Sequence, residues 1–105
     1  MEWDDFEWDE NKRNANIEKH GLDFRDAIWV LDGPYLKYPA KEGNGEQRWI
    51  AIGMLDDIAV AIICTMRGPA LRVISMRRAR KNERKHYDTH FGRGAAESGS
   101  QRKPD

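Results

Sequence analysis

The chain has 105 residues, 39% hydrophobic and 34% charged, and its 18 basic and 18 acidic side chains cancel to a formal net charge of zero. That is enough for one domain with one modest core, and the longest apolar run, IAVAIICTM, is strand-sized against the about eighteen residues of a membrane helix. The acidic, aromatic start MEWDDFEWDE is the reverse of a secretory signal, one cysteine excludes an internal disulfide, and neither it nor the three histidines shows metal-ligand spacing. A cytoplasmic protein without metal or other cofactor is expected.

In chain order, FEWDENKRNANIEKHG reads as a helix. Asp9 is a candidate N-cap, Gly21 the left-handed stop, and Lys19 and His20 lie in the last turn, where cations suit the helix dipole. Its apolar contribution is thin, coming from Ala15, Ile17 and the stem of Lys19. LDFRDAIWVLDG predicts a second helix, capped by Asp23, with Asp26 at the capping-box position and a stripe of Phe24, Ala27, Ile28 and Leu31. Gly33-Pro34 ends it.

PYLKYP, bracketed by prolines, reads as a short edge strand, and AKEGNGE as a loop. QRWIAIGML, IAVAIICTM and LRVISM, joined by the turns DD and RGPA, predict an antiparallel meander. RRARKNERKHYDTHF is strong helix-forming material, and GRGAAESGSQRKPD reads as disordered. The expected fold is therefore α+β: two N-terminal helices, a three- to four-stranded antiparallel sheet and a C-terminal basic helix. The domain is expected over residues 1–90, with a disordered tail over 91–105.

The zero net charge hides an asymmetry. Residues 1–64 hold 14 acidic and 7 basic side chains, whereas residues 65–105 hold 11 basic and 4 acidic. Either the halves neutralise each other across the fold, or the second half meets an anionic partner. If LRVISMR is a regular strand, Arg72, Ile74 and Met76 share one face, and Leu71, Val73, Ser75 and Arg77 share the other. Arg67 lies at the end of the neighbouring strand. Arg77, Arg80, Lys81 and Arg84 recur at helical spacing and form one stripe. Guanidinium forks at one end of a sheet suit phosphate oxygens.

The blocks FEWDENKRNANIEKHGLDFRDAIWVLDGP, GEQRWIAIG and RVISMRRARKNERKHY, in this order over residues 6–87, resemble the BrnT family, the toxin half of a bacterial type II toxin–antitoxin pair. The resemblance implies a RelE-like fold and a ribonuclease that cleaves RNA and halts translation. It also implies a cognate ribbon-helix-helix antitoxin, through which alone the toxin would reach operator DNA. The chain departs from the family pattern in its acidic N-terminal extension and at Cys64-Thr65-Met66.

Metal-free RNA cleavage needs a base for the 2′-OH, cations for the phosphorane charge and an acid for the leaving 5′-oxygen. Arg67, Arg77 and Arg80 are the candidates for the cationic role, and His20 for proton transfer or substrate contact, imidazole being the side chain that exchanges protons near neutral pH. A helix C-terminal histidine has a structural explanation as well. Lys12, Lys19, Arg72, Lys81 and Arg84 are candidate RNA-binding residues. Glu46 is a candidate base or a partner for Arg48, the pairing being favoured. Tyr87 is read as core before base stacking. Trp29 and Trp49 are read as core, Trp8 as a staple on the first helix and Trp3 as exposed; His86 and His90 rank low. The alternative reading is a non-catalytic basic module that docks an acidic protein or nucleic acid.

Overall fold

The computed structural model describes residues 5–43 and 45–92. The chain enters as a short strand, β1 (Asp5–Glu7), and turns into helix α1 (Glu10–His20). A 3₁₀ turn (Phe24–Asp26) leads to helix α2 (Ala27–Asp32). Four strands follow, β2 (Tyr35–Gly43), β3 (Glu46–Leu55), β4 (Ile58–Arg67) and β5 (Ala70–Arg78), and helix α3 (Lys81–Phe91) closes the described chain.

The sheet runs β1-β5-β4-β3-β2. It is mixed, because β1 pairs in parallel with β5 while every other pair is antiparallel. This corrects the expectation of two N-terminal helices before a three- to four-stranded antiparallel sheet. A strand precedes the helices, the described sheet has five strands, and three α-helices are spread along the chain. Three residues are too few to show a strand's alternation, so β1 was hidden in what reads as an acidic leader. Trp3 and the tail from residue 93 lie outside the described residues.

Local signals placed most helix ends. The Asp9 side chain accepts from the backbone N–H groups of Asn11 and Lys12, and Gly21 closes α1 at φ 69°. Asp23 caps only the 3₁₀ turn, by accepting from Arg25 N–H, and Asp26 makes no capping bond. The second helix is therefore split and its α-helical part is short. Phe24, Ala27, Val30 and Leu31 are buried from it. The helix packs so close on β3 that a Cβ on Gly53 would lie 2.8 Å from Val30 Cγ1.

The sheet buries two unequal faces. The first carries Ala51, Leu55, Val60, Ile62, Cys64, Leu71, Val73 and Met76 against Leu22, Phe24, Ala27, Val30 and Leu31. The second carries Ile52 and Ala61 beneath Tyr87 of α3, with Leu36, Tyr38, Ile50, Met54, Ala79 and Phe91 around them. Tyr87 is core as expected, and its hydroxyl donates to the Pro34 carbonyl.

One irregularity decides which side chains reach which face. Ile63 pairs with Ser75, but the next residue, Cys64, pairs with Val73, so Ile74 is an extra residue in β5. Such a bulge shifts the alternation by one. Leu71, Val73 and Met76 consequently share the first face. Arg72, Ser75 and Arg77 share the second, opposite Thr65, Ile63 and Ala61. The division expected of a regular strand, with Arg72 beside Met76 and Arg77 beside Leu71 and Val73, is overturned.

The one buried position of α1 is polar. Asn16 donates to the Leu22 carbonyl at 2.9 Å and accepts from the Met76 backbone N–H at 3.2 Å. It stands where β1, ending opposite Arg72, no longer pairs with β5. Replacing Asn16 with alanine orphans two buried backbone groups. Asn16→Ala is expected to lower folding stability by about 2–4 kcal/mol in urea titration, with the m-value unchanged.

Candidate nucleic-acid interface

The second face of the sheet holds the candidate site. One row crosses it from Ala40 of β2 to Arg48 of β3, then Thr65 of β4, Arg72 of β5 and Glu7 of β1. Arg48 and Thr65 stand one step beyond the Trp49–Cys64 pair, and the Thr65 hydroxyl donates to the Gln47 carbonyl. The next row is Tyr38, Ile50, Ile63 and Ser75, and the third is Leu36, Ile52, Ala61 and Arg77. Tyr87 and Phe91 of α3 pack over the third row. The row of Arg48 and Arg72 lies beyond them toward the sheet end, where Arg67 sits.

Each of the three strand arginines singled out from sequence holds a carboxylate. Arg67 Nε donates to Glu46 at 2.9 Å, so the partner of Glu46 is Arg67 and not Arg48. Arg72 Nη1 donates to Glu7. Arg77 grips both oxygens of Glu83, at 2.7 and 3.0 Å, and the same carboxylate accepts from the Arg80 backbone N–H at the start of α3. The Arg77 side chain is 18% exposed and that of Glu83 13%, so this pair is a corner brace between β5 and α3. The Glu83 carboxyl is held below its ordinary range, first by the Arg77 hydrogen bonds and in part against its own burial. The same bonds raise Arg77.

Two of these pairs, Arg67–Glu46 and Arg72–Glu7, join the basic second half to the acidic first half, so the halves do neutralise each other across the sheet. The helix cations differ. Arg80, Lys81, Arg84 and Lys85 are exposed and have no carboxylate partner among the described residues. Lys81, Arg84 and Lys85 line an open depression with Asp88 and Thr89 along α3. The expected stripe is thus divided: Arg77 belongs to the strand and its brace, while Arg80 caps the helix.

Lys12, Lys19 and His20 are not brought to this face. They ride on α1, whose Asn16 is tied to Leu22 and Met76 of the first-face layer. Cys64 is buried, and burial pushes its thiol pKa up. Trp49 and Trp29 are partly buried against the first-face core, Trp49 with the Lys37 ammonium 4.5 Å from its ring centroid. Trp8 packs against the same core, and its indole N–H donates to Glu10.

Arg48 is the site residue that sequence reasoning passed over. Its side chain shares the second face with Ile50 and Ile52, and its Nε is buried with no hydrogen-bond partner among the described residues. The signal was an arginine at an inward position of QRWIAI, in phase with two isoleucines, which the weak alternation of that run obscured. The Tyr38 phenol and the His86 imidazole come together beside it, their ring centroids 6.5 Å apart. Together the elements offer a row of guanidiniums able to meet an extended anion, with hydroxyl and imidazole groups at one rim.

The brace makes a pH prediction. Because Glu83 ionises more readily folded than unfolded, its contribution to stability is present above the ordinary carboxylate range and is lost as the pH falls through the lowered folded value. Asp23, lowered chiefly by its hydrogen bonds from Arg13, adds a drop of the same sign. Glu83→Gln is expected to be less stable than wild type at neutral pH, with the difference narrowing in thermal melts taken at increasingly acidic pH.

No curated protein matches the chain. A family model described as "Ribonuclease toxin, BrnT, of type II toxin-antitoxin system" matches residues 8–83, from just after β1 through the other four strands and into the first turn of α3. That match takes in Arg48, Arg67, Arg72, Arg77, Arg80 and Glu83 of the second face and leaves His86 outside it. The chain belongs to this family of toxin–antitoxin ribonucleases, which brings with it an RNA substrate and an antitoxin partner.

Proposed function

We propose that this chain is a metal-independent endoribonuclease of RelE-like type that halts translation by cutting RNA across the second face of its sheet. The observation that carries the reading is that Arg48, Arg67, Arg72 and Arg77 share that face, spread from the Arg67 end of the sheet to the Arg77 end rather than gathered at one end as expected, with Arg80 and the other cations of α3 following at the latter. Cleavage by the neighbouring 2′-OH asks the protein for charge stabilisation at phosphorus and for proton transfer. Guanidiniums supply the first through paired N–H donors that match phosphate geometry.

Roles follow from position. Arg67 and Arg48 face the open end of the sheet and contact the scissile phosphate. Arg72, in the row of Arg48, holds a flanking phosphate, and Arg80, Lys81 and Arg84 hold others at the far end, where β5 runs into α3. Arg77 acts chiefly through its brace with Glu83, which sets the start of α3 against β5. Lys12, Lys19 and His20, lying on α1, take no part in this cleft. A ribbon-helix-helix antitoxin would neutralise the toxin, and operator DNA would be met only through that partner.

The second reading, a basic docking module without chemistry, draws on the ion pairs. Arg67, Arg72 and Arg77 already hold carboxylates, so the face could be a neutralised scaffold with only α3 presented to an acidic partner.

Purified protein incubated with structured RNA in excess EDTA separates the two. Fragments ending in a 2′,3′-cyclic phosphate, and a loss of about 10²–10³-fold in rate for Arg67→Ala and Arg48→Ala, are expected. Intact RNA from well-folded wild type would establish the docking reading, and cleavage that stops with EDTA and returns with Mg²⁺ would overturn metal independence. Arg77→Ala is to be scored only with a stability measurement beside it, because it leaves Glu83 without its partner.

A further inference from the structure

Three arginines of the second face are occupied by carboxylates, whereas Arg48 meets none among the described residues, and it lies on the side of the sheet away from Glu7 and Glu83. Its register partner is Ala40, while Tyr38, one step along the same face of β2, pairs with Ile50. Arg48 and Tyr38 are therefore diagonal neighbours, within reach of long side chains. Together they line a depression of about 410 Å³ with Gln47. Tyr38 also forms the wall of a second depression, of about 470 Å³, lined by His86 and His90 of α3. Tyr38 thus stands between the half-buried Arg48, whose Nε has no partner among the described residues, and a solvent-accessible imidazole, with the two rings 6.5 Å apart and inclined at 52°. The groups facing His86 are Tyr38 across the gap and His90 one turn on; Lys85 is its neighbour in the helix. No carboxylate of the described residues pairs with it.

We infer that Tyr38 and His86 are the proton-transfer pair of the ribonuclease site, with Arg48 as the donor to the phosphorane between them. The inference rests on the ribonuclease reading and adds the residues that reading leaves unassigned. The His86 imidazole takes the proton of the 2′-OH as the 2′-oxygen bonds to phosphorus. The phosphorus–5′-oxygen bond breaks, and the Tyr38 hydroxyl protonates the leaving oxygen. The products are a 2′,3′-cyclic phosphate and a free 5′-OH. The imidazolium then returns its proton to the phenolate, so no proton is consumed. Arg48, diagonal to Tyr38 on the adjoining strand and lining the same depression, offers its guanidinium to a non-bridging oxygen of the pentavalent intermediate. The alternative imidazole, His20, lies with α1 and the first-face layer.

The test uses the full-length protein and a short synthetic RNA carrying a phosphodiester first mapped as a cleavage point in a longer transcript. A second copy of that oligonucleotide carries sulfur in place of the bridging 5′-oxygen, a leaving group that needs no acid. His86→Ala is expected to slow cleavage about 10²-fold or more and to lose the acid-side fall in rate that protonation of the imidazole gives wild type. Added imidazole should restore part of its rate. Tyr38→Phe is expected to be slow on the oxygen link and near wild type on the sulfur link, where His86→Ala stays slow.

A His86→Ala protein that cleaves at the wild-type rate with the wild-type pH profile overturns the inference while leaving the ribonuclease reading intact. So does a Tyr38→Phe protein equally slow on both links. Wild type that cuts no RNA overturns both. Thermal melts of each variant keep folding apart from chemistry, and both positions are open enough to solvent for the fold to accept the change.

Discussion

The bulge at Ile74 governs what the rest of the molecule is able to do. β5 must place Leu71, Val73 and Met76 under the layer of Phe24 and Leu31, and Arg72 and Arg77 on the opposite side. A regular strand cannot do both, since residues 71, 73, 75 and 77 would share a face. Without the extra residue, Arg77 would enter the apolar layer beneath α2, at a cost of several kcal/mol for a charge without its partner. With it, Arg72 and Arg77 join one face and Arg77 meets Glu83 as α3 begins. The apolar core and the cationic face thus follow from one inserted residue.

The ion pairs on that face give the cations a defined shape before any ligand arrives. An arginine left to itself samples many rotamers, and ordering it on binding costs about 0.5–1.5 kcal/mol. Glu46, Glu7 and Glu83 hold Arg67, Arg72 and Arg77 in place while leaving guanidinium N–H groups unused. The price is a weaker net field over the sheet. The long-range attraction for a polyanion is then left to α3, where Arg80, Lys81, Arg84 and Lys85 stand exposed and repel one another. Strand and helix cations divide the labour: the first set geometry, the second encounter.

Much of the fold could be read from the chain, and the failures have physical causes. Helix ends were legible because Asp9, Gly21 and Gly33 act locally. The meander was legible because short turns punctuate it, and Tyr87 as core because it lies midway along a helix whose flanking residues are polar. β1 was not legible, being three residues whose only reason to be extended is the distant β5. The bulge was not legible either, since sequence alternation assumes a regular strand; it moved Arg72 to the other face. Within the site, the concentration of arginine was visible. Their pairing with Glu46, Glu7 and Glu83 was not, because these contacts cross up to 65 positions of chain. Lys12 and Lys19 were drawn to the site by the matching block and His20 by its imidazole, and all three ride on α1, which the topology places elsewhere.

Asn16 has a consequence outside the fold itself. Past Arg72, β5 has no strand on its outer side among the described residues, and an open edge of that kind is a template on which a second chain can add itself. Asn16 accepts from the Met76 N–H that such a chain would seek, and α1 lies across the approach. A side chain thus does the work of a missing strand and keeps the sheet from growing outward. Losing it would therefore be felt in solubility as well as in stability, as slow association of otherwise folded molecules through an edge the native protein keeps shut.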